Sequence, residues 1–389
     1  MTCPVCHHKQ NTPLLTLEDY PVYQHPMVDN SKIPLPHTIT LKYLICAQCA
    51  HAFQSNYDRD ILEKIYSYHY YTPSPDSVGA TFRNEFIDFI KQQSAITKHN
   101  ANILEIGCSS GDVLSALKSL HPQFNYRGIE PNEETAKVAR KRGFDISSEF
   151  FTQKFVQTFN NKVDLIYSRH VIEHIFDFDD FFNAATQISN NDTLLILETP
   201  SLDWATQQTS TAAFHVEHIH VFSERSLVIL ANRFGWFKDN STVTTSGNLI
   251  VSFSRIDNIQ QLPITPKKQK LLQTRNDELV NKMQTICKNK RTIFWGAGSA
   301  AIKLMLLSKL TPSYIIDGNP NKKGKFFCGM NLPISYAPDV IKRIIAANED
   351  KDIVMIISSS YYREIEKQLK QLGWKGIIYA PYRNEKKAS

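Results

Sequence analysis

Glycine and acidic residues at one predicted turn have the spacing needed to bind a nucleoside. An apolar run at residues 103–106 ends at Gly107, and after Gly111 the apolar positions change from strand-like to helical spacing. This pattern predicts a strand, a tight turn and a helix, whose glycines let a ligand approach the backbone and whose first N–H groups are unpaired. A second predicted strand ends at Glu130, where a carboxylate can accept hydrogen bonds from ribose hydroxyls. We expect a nucleoside at this turn.

The residue types in the turn favour one cofactor. A dinucleotide site requires G-x-G-x-x-G, whereas here Glu105 lies on the strand, and its carboxylate would repel phosphate but suit a cationic amino-acid end. The turn resembles the first motif of class I S-adenosylmethionine (SAM)-dependent methyltransferases, and residues 163–175 resemble that family's fourth strand and following loop. A Rossmann-like unit that binds another ligand, or none, is the alternative. The resemblance implies SAM contacts from Glu105, Gly107, Cys108, Ser109, Gly111, Glu130, Pro131, Ser168 and His170.

A run rich in histidine follows the predicted fifth strand at residues 194–200. It contains His215, Glu217, His218 and His220 in the loop that should lie over the methyl-donor pocket. If the run is extended, alternation places His218 and His220 on one face and Glu217 on the other. The unperturbed pKa of imidazole, near 6.5, makes His218 the best candidate for a general base. A second metal site is a weaker alternative, because no further ligand cluster appears nearby.

Four of the seven cysteines form two Cys-x-x-Cys pairs, Cys3 with Cys6 and Cys46 with Cys49. Each pair can present two thiolates from one turn to a tetrahedral ion, so we predict a structural zinc site. Four thiolates leave no open position for catalysis. Unrelated thiols are one alternative, and a redox pair is a weaker one because neither pair lies between a predicted strand and helix.

Length and composition are those of a multidomain globular protein. The chain has 389 residues, 42% of them hydrophobic, and a net charge of +6. Its start lacks an apolar signal region and no run of about 18 apolar residues occurs, so we expect a cytoplasmic protein with no membrane contact. The modest basic excess fits an anionic small molecule as well as nucleic acid, and a solvated surface is the simpler explanation. The oligomeric state is left open.

Two further segments invite interpretation. Residues 66–75 carry five ring side chains in six positions followed by two prolines, which indicates either a lid whose phenols, including Tyr70 and Tyr71, reach a polar ligand, or an aromatic plug between domains.

Residues 292–301 predict another strand, turn and helix with a G-x-G-x-x-A pattern, and Asp317 follows at the position of a ribose acceptor. A substrate-binding or scaffold role is favoured there over a second cofactor; alternatively, lysines 322, 323 and 325 reach a diphosphate.

The order of these features resembles the nucleotide-sugar C-methyltransferases of deoxysugar biosynthesis. We therefore predict an α/β protein with a zinc-binding module and aromatic lid (1–75), a class I SAM-methyltransferase core with a Rossmann-like sheet (76–257) and a second Rossmann-like unit that binds substrate (258–389). The resemblance implies that a histidine removes the proton beside the ketone of a nucleotide-linked keto-deoxysugar, and that the enolate carbon takes the methyl group. Nucleic acid is not an expected partner.

The resemblance also assigns roles to residues in the two loops. The family's second loop reads Tyr-His-Glu-His, so Glu217 and His218 match, whereas His215 stands where tyrosine is expected. His174 matches a histidine in the loop after the fourth strand. If His218 is the base, the enolate oxygen would be held by His215, His174 or a phenol among residues 68, 70 and 71. Glu217 is less suited as the base, and binding a sugar hydroxyl is its alternative role. An O-methyltransferase and a non-catalytic zinc-ribbon protein that binds RNA are the alternatives.

Overall fold

The computed structural model describes residues 1–24, 26, 35–68, 79–93, 100–160, 162–208, 210–255, 270–359 and 362–381. Tyr70 and Tyr71 lie outside these ranges. Within them, no helix combines the length and apolar character that crossing a membrane requires. The strands are β1 (Asn11–Pro21), β2 (Thr38–Cys46), β3 (Ala52–Gln54), β4 (Asn102–Ile106), β5 (Asn125–Ile129), β6 (Asp145–Ser147), β7 (Val163–Arg169), β8 (Ser189–Pro200), β9 (His220–Val221), β10 (Phe237–Val243), β11 (Asn248–Ser254), β12 (Arg291–Trp295), β13 (Tyr314–Asp317), β14 (Ile334–Tyr336), β15 (Ile353–Ile357) and β16 (Ile377–Tyr379). The helices are α1 (Arg59–Tyr68), α2 (Gly79–Lys91), α3 (Asp112–Leu120), α4 (Glu133–Lys141), α5 (Gln153–Val156), α6 (Phe178–Gln187), α7 (Leu202–Gln207), α8 (Glu224–Asn232), α9 (Lys270–Cys287), α10 (Ser299–Ser308), α11 (Ala337–Ala346) and α12 (Tyr362–Gln371).

The central sheet has the strand order β10-β11-β8-β7-β4-β5-β6. Strands β4 to β8 run parallel, and β11 and β10 close one edge in antiparallel fashion. The chain leaves β4 for β5 on one side and later adds β7 on the other, so the direction of winding reverses at β4. Ligands of open α/β sheets bind at the carboxyl ends of the strands at such a reversal. The predicted glycine turn lies there, directly after β4.

The N-terminal sheet is antiparallel, in the order β1-β2-β3-β9. Its last strand belongs to the histidine-rich run, since Phe53 pairs with His220 and Ala52 with Val221. The N-terminal module therefore shares a sheet with the loop that follows β8, and the position of that loop depends on both.

The C-terminal sheet is parallel, in the order β14-β13-β12-β15-β16, and both of its faces are covered by buried apolar residues. Helix α10, which follows the G-x-G-x-x-A turn, also packs on β1 of the N-terminal sheet. The prediction of an α/β fold with two Rossmann-like parallel sheets is confirmed.

The prediction that His218 and His220 share a face depended on residues 214–223 being extended, and most of this run is not extended. Only His220 and Val221 form a strand, and residues 215–219 are turns closed by bonds such as that from the His218 N–H to the His215 carbonyl, at 3.0 Å. His218 and His220 consequently do not share a face.

Candidate functional site

The turn after β4 has a backbone that three of its residues hold in the left-handed region. Gly107, Ser109 and Gly111 have φ values of 72°, 49° and 77°. A Cβ on Gly107 would lie 2.6 Å from the Cγ2 of Val171, closer than carbon atoms approach. Glycine at this position therefore lets the loop after β7 pack directly on the turn, which brings the predicted cofactor site and the His170–His174 segment together.

Glu130 organises the turn from the end of β5. Its Oε2 accepts the Ser109 N–H and its Oε1 the Asn132 N–H, both at 2.9 Å. Burial raises the pKa of this carboxyl, and the two backbone donors oppose that rise. A carboxylate offers about four lone-pair positions. Glu130, followed by Pro131, can therefore still accept the two hydroxyls of a ribose.

Glu105 is buried beneath the turn, and its Oε2 accepts the hydroxyl proton of Tyr167 at 3.2 Å. Burial raises its pKa to about 8, even though the Arg169 cation favours the charged form. In the protein alone this carboxyl therefore holds its proton more tightly than a free glutamate does. An ammonium group bound nearby would lower its pKa and restore the charge.

The remaining predicted cofactor residues have unlike surroundings. The Cys108 thiol packs against Gly128, where a Cβ would lie 2.6 Å from the sulfur, and burial raises the pKa of the thiol. Ser168 is buried, and its hydroxyl has no hydrogen-bond partner among the described residues. His170, at φ 55°, lies at the surface of the site, and its side chain is 41% exposed.

Three histidine rings meet above the carboxyl ends of β7 and β8. The ring centroids of His215 and His218 are 3.5 Å apart, and those of His174 and His218 are 4.9 Å apart. The Nδ1 of His174 contacts the Glu217 carbonyl, and the Nδ1 of His218 contacts the Ala213 carbonyl, each at 2.8 Å. A carbonyl oxygen can only accept, so both Nδ1 atoms carry the proton and both Nε2 atoms keep a lone pair.

Glu173, which the sequence interpretation did not select, connects these histidines. The carboxylate is fully buried, its Oε1 accepts the His170 Nδ1–H at 3.2 Å, and its Oε2 accepts the Thr199 hydroxyl at 3.0 Å. Its Oε1 also lies 3.8 Å from the Nε2 of His218. Burial raises its pKa, but the His170 bond and the neighbouring imidazoles outweigh burial and lower it to about 2. In the sequence, Glu173 could have been selected because it lies directly before His174 in the loop after β7.

The pKa of His218 differs from the sequence expectation. Burial and the neighbouring His174 together lower it to about 4, and the Glu173 carboxylate only partly opposes them. Burial and the adjacent His218 also lower the pKa of His215, whose Nδ1 has no partner among the described residues. Both rings are therefore neutral near pH 7, so the lone pair on the His218 Nε2 is available to accept a proton.

The donor atoms of Glu173, His174 and His218 lie within 4.8 Å of one another. Glu173 and His218 are buried, and His174 is partly buried. Two histidines that donate Nδ1–H to backbone carbonyls, together with a carboxylate, are a donor set that can hold a divalent cation. A cation there would take up the Nε2 lone pair of His218. A metal role and a proton-acceptor role for His218 therefore exclude each other.

The N-terminal module holds the backbone of this histidine loop. The Tyr43 hydroxyl is 2.9 Å from the His215 carbonyl and 2.7 Å from that of His218. The Gln54 amide nitrogen lies 2.9–3.1 Å from the carbonyls of His215, Val216 and His218. Both side chains are buried. No local motif marks either residue, because their partners lie more than 160 positions away in the chain.

The His220 ring makes contacts different from those of His218. Its Nε2–H donates to the Ile175 carbonyl at 3.1 Å, and its Nδ1 accepts from the Nε2–H of His51 at 3.0 Å. Burial lowers the pKa of both rings. His220 therefore joins the N-terminal module to the core and is not part of the cluster formed by Glu173, His174 and His218.

The four paired cysteines come together as the spacing predicts. The sulfurs of Cys3 and Cys49 are 3.6 Å apart, those of Cys6 and Cys46 are 3.5 Å apart, and all four lie within 4.8 Å of one another. A tetrahedron with Zn–S bonds of about 2.3 Å has sulfurs about 3.8 Å apart. Four negatively charged thiolates this close together repel one another, so a cluster of thiolates requires a cation. The donor set and its size fit zinc.

Asp317 of the C-terminal unit is engaged by its own surroundings. Its Oδ2 accepts the Ala297 N–H at 2.7 Å and the Lys322 ammonium at 3.0 Å, and its Oδ1 accepts the Asn319 N–H at 2.8 Å. The backbone contacts repeat those of Glu130, but Lys322 occupies the position of an additional donor. Lys322 also donates to the Ala297 carbonyl, so it is tied to this turn rather than free to reach a diphosphate.

A cavity of about 520 Å³ lies on the other side of the histidine loop. Val216 and Gln54 line it together with the charged residues Lys42, Glu18 and Asp58. None of the described residues lining it is a histidine. The volume suits a small-molecule ligand, but the two carboxylates do not favour a diphosphate.

Comparison with known proteins identifies two parts of the chain. Residues 80–238 match the family model of a methyltransferase domain, and residues 260–381 match that of a C-methyltransferase C-terminal domain. None of the curated proteins compared with the chain matches it. The chain thus contains a methyltransferase domain followed by a C-methyltransferase C-terminal domain.

Solved structures that match part of the chain do so at low sequence identity. The mitomycin 7-O-methyltransferase MmcR is 17% identical with a TM-score of 0.37, over 51% of this chain and 57% of that one. A SAM-dependent methyltransferase from Archaeoglobus fulgidus is 12% identical with a TM-score of 0.35, over 45% of this chain and 93% of that one. The N-methyltransferase NodS from Bradyrhizobium japonicum WM9 is 14% identical with a TM-score of 0.35, over 46% and 98%. The matched region covers little more than half of the mitomycin enzyme.

Proposed function

We propose that this protein is a SAM-dependent methyltransferase that adds a methyl group to a carbon atom of a nucleotide-linked keto-deoxysugar, through an enolate formed by a histidine base. The match of residues 260–381 to a C-methyltransferase C-terminal domain supports carbon as the acceptor. SAM, when bound, supplies the methyl group as an electrophile. The acceptor carbon must then become nucleophilic, and the histidine cluster is the part of the site that can achieve this.

The observation that carries the proposal is the contact between the Nδ1 of His218 and the Ala213 carbonyl, which favours the Nδ1–H tautomer. Its Nδ1–H is held by the Ala213 carbonyl at 2.8 Å, so the Nε2 lone pair can accept the proton from the carbon beside the ketone. The electron pair of the broken C–H bond passes into the enolate, and the enolate carbon then takes the methyl group. As His218 becomes a cation, the Glu173 carboxylate, 3.8 Å from its Nε2, stabilises the charge.

The pKa of about 4 for His218 belongs to the protein alone. An enolate bound beside the imidazolium would raise the pKa of this ring, because opposite charges at close range favour each other. The enolate oxygen also needs a donor. His215 is available for this, since its Nδ1 has no partner among the described residues, and Tyr70 and Tyr71 remain candidates. His174 can donate from its Nε2 only when protonated, because its Nδ1–H is already committed to Glu217.

We further propose that Cys3, Cys6, Cys46 and Cys49 bind a structural zinc ion. Two knuckle turns support this: the His7 N–H donates to the Cys3 carbonyl and the Ala50 N–H to the Cys46 carbonyl, both at 3.0 Å. Zinc would hold the turns at the ends of β1 and β2, and β2 supplies Tyr43 to the histidine loop. The metal would therefore support the site without taking part in the reaction.

Proton exchange tests the mechanism. The enzyme is incubated in D₂O with S-adenosylhomocysteine and a dTDP-, GDP- or CDP-linked 4-keto-6-deoxyhexose. One of these sugars should gain deuterium at a single carbon. The same carbon should be methylated when SAM replaces S-adenosylhomocysteine. His218→Asn should abolish the exchange, lower turnover about a hundredfold or more and leave SAM affinity unchanged. His121→Asn, at the partly exposed end of α3, is the matched control and should behave as wild type. Methylation of a hydroxyl without any exchange would overturn the proposal in favour of O-methylation.

A further inference from the structure

Lys303 is a buried cation in the helix of the C-terminal unit that follows the glycine turn. It lies on α10 among the buried residues Ile302, Leu304 and Met305, and it is 4% exposed. Its ammonium group donates to both the carbonyl and the hydroxyl oxygen of Thr211, at 2.9 Å each. Thr211 is not part of the C-terminal unit: it begins the turn that leads into the histidine loop.

The turn that starts at Thr211 carries the bond that fixes His218. The Thr211 carbonyl accepts the Phe214 N–H at 3.1 Å, and Ala213, within the same turn, accepts the Nδ1–H of His218. Tyr20 clamps the other end, since its hydroxyl donates to the Phe214 carbonyl at 3.2 Å. The Lys303 ammonium also lies 5.9 Å from the centre of the Tyr20 ring. Lys303 and Tyr20 thus hold the two ends of one turn.

A lysine at this position is not required by packing. Its helix neighbours are aliphatic, and an unbranched apolar side chain would fill the same space without the cost of removing an ammonium group from water. That cost is visible in the lysine itself, because burial lowers its pKa to about 7. The ammonium is stabilised by two oxygens of a single residue, so the bond it makes is specific to Thr211.

We propose that Lys303 is a positioning residue: by holding Thr211 it fixes the turn that carries Ala213, and so keeps His218 with its proton on Nδ1 and its lone pair on Nε2. The C-terminal unit thereby takes part in proton abstraction although it supplies no group to the reacting atoms. This inference rests on the proposed role of His218 as the base.

The test compares three variants of the full-length, zinc-loaded protein. Lys303→Met retains the unbranched stem and removes the ammonium group. Thr211→Val removes one of its two acceptors and leaves the backbone and the lysine intact. Lys288→Met, at an exposed position after α9 in the same unit, is the matched control.

The deciding measurement needs no substrate. In the ¹⁵N spectrum of histidine-labelled protein, His218 of the wild type should be a pure Nδ1–H tautomer, identified by its loss in His218→Asn. Lys303→Met should give a mixture of tautomers, Thr211→Val a smaller admixture, and Lys288→Met none. Affinity for SAM, measured by calorimetry, should be the same in all of them, because the cofactor turn lies after β4 and contacts neither Thr211 nor Lys303.

Activity gives the second measurement. Lys303→Met should lower the rate of deuterium exchange and kcat about tenfold to a hundredfold, with KM for SAM unchanged, since small displacements of a catalytic group have effects of this order. A pure Nδ1–H tautomer in both Lys303→Met and Thr211→Val would overturn the inference. If Lys303→Met does not fold, an unchanged tautomer in Thr211→Val overturns it alone. If no sugar exchanges with wild type, the proposed function fails, whereas the tautomer still decides the role of Lys303.

Discussion

Replacing Glu173 with glutamine tests whether a buried carboxylate organises the site. Glu173 is fully buried, accepts hydrogen bonds from His170 and Thr199, and lies near the Nε2 of His218. The His170 hydrogen bond and the neighbouring imidazoles outweigh burial and lower its pKa from 4.5 to about 2. Glutamine retains the shape and an oxygen that can accept the Thr199 hydroxyl, so Glu173→Gln removes mainly the charge.

The expected loss follows from the pKa. One pKa unit corresponds to about 1.4 kcal/mol, so a carboxyl pKa lowered from 4.5 to about 2 in the folded protein stabilises it by at most about 3 kcal/mol at pH 7, where the neutral His218 ring no longer contributes. Because the folded pKa lies below the unfolded one, this contribution is complete above pH 4.5 and is lost as the pH falls towards 2. Glu173→Gln should therefore destabilise the sheet at pH 7, and the difference from wild type should shrink in acid.

Amide hydrogen exchange of β7 and β8 measures this local stability directly. Glu134→Gln, which removes an exposed carboxylate 2.7 Å from Lys137, is the control and should change little because such pairs contribute little. The Glu173 bond also raises the pKa of His170 against the effect of burial, so that pKa should fall in Glu173→Gln. Exchange rates equal to those of Glu134→Gln, or an unchanged His170 titration, would refute the reasoning.

Two further predictions concern the metal and the cofactor. Elemental analysis should give about one zinc per chain. Cys46→Ser should lose this zinc and unfold at lower temperature, whereas Cys328→Ser should keep it; fully folded protein without metal would contradict the zinc site. Glu130→Ala should weaken SAM binding by about 1.5–3 kcal/mol for each lost hydrogen bond to the charged group, and Asp317→Ala should not change it. Calorimetry checks the second pair, and a loss of SAM affinity in Asp317→Ala would contradict it.

Features that depend on neighbouring residues in the chain were predictable. The strand, turn and helix around Gly107 follow from a local change in apolar spacing, and the structure has β4, the turn and α3 there. The unit around Gly296 follows from the same signal. Cysteine pairs identify themselves by residue type and spacing, so the approach of Cys3 to Cys49 could be expected although 46 positions separate them.

Features that depend on distant residues were not predictable. The run at 214–223 alternates like a strand, but Gln54 and Tyr43 bind its carbonyls and hold it as turns. The pKa of His218 could not be anticipated, because its lowering to about 4 is due to burial. Lys303 sits in a helix that the sequence does predict, where a lysine normally indicates a solvent-exposed position.

The division of the chain into three sheets has a chemical reason in this geometry. The residues proposed to bind SAM all lie on the central sheet and its turns, so a core of this kind can hold the cofactor by itself. The histidine loop is a run of turns, and ordering its backbone costs about 1–2 kcal/mol for each residue. Gln54 and Tyr43 hold the loop from the N-terminal sheet, and Lys303 holds it from the C-terminal unit. A histidine base that must keep one tautomer needs a carbonyl partner in a fixed position. The N-terminal sheet and the C-terminal unit supply the side chains that hold the backbone of the histidine loop, and with it this carbonyl.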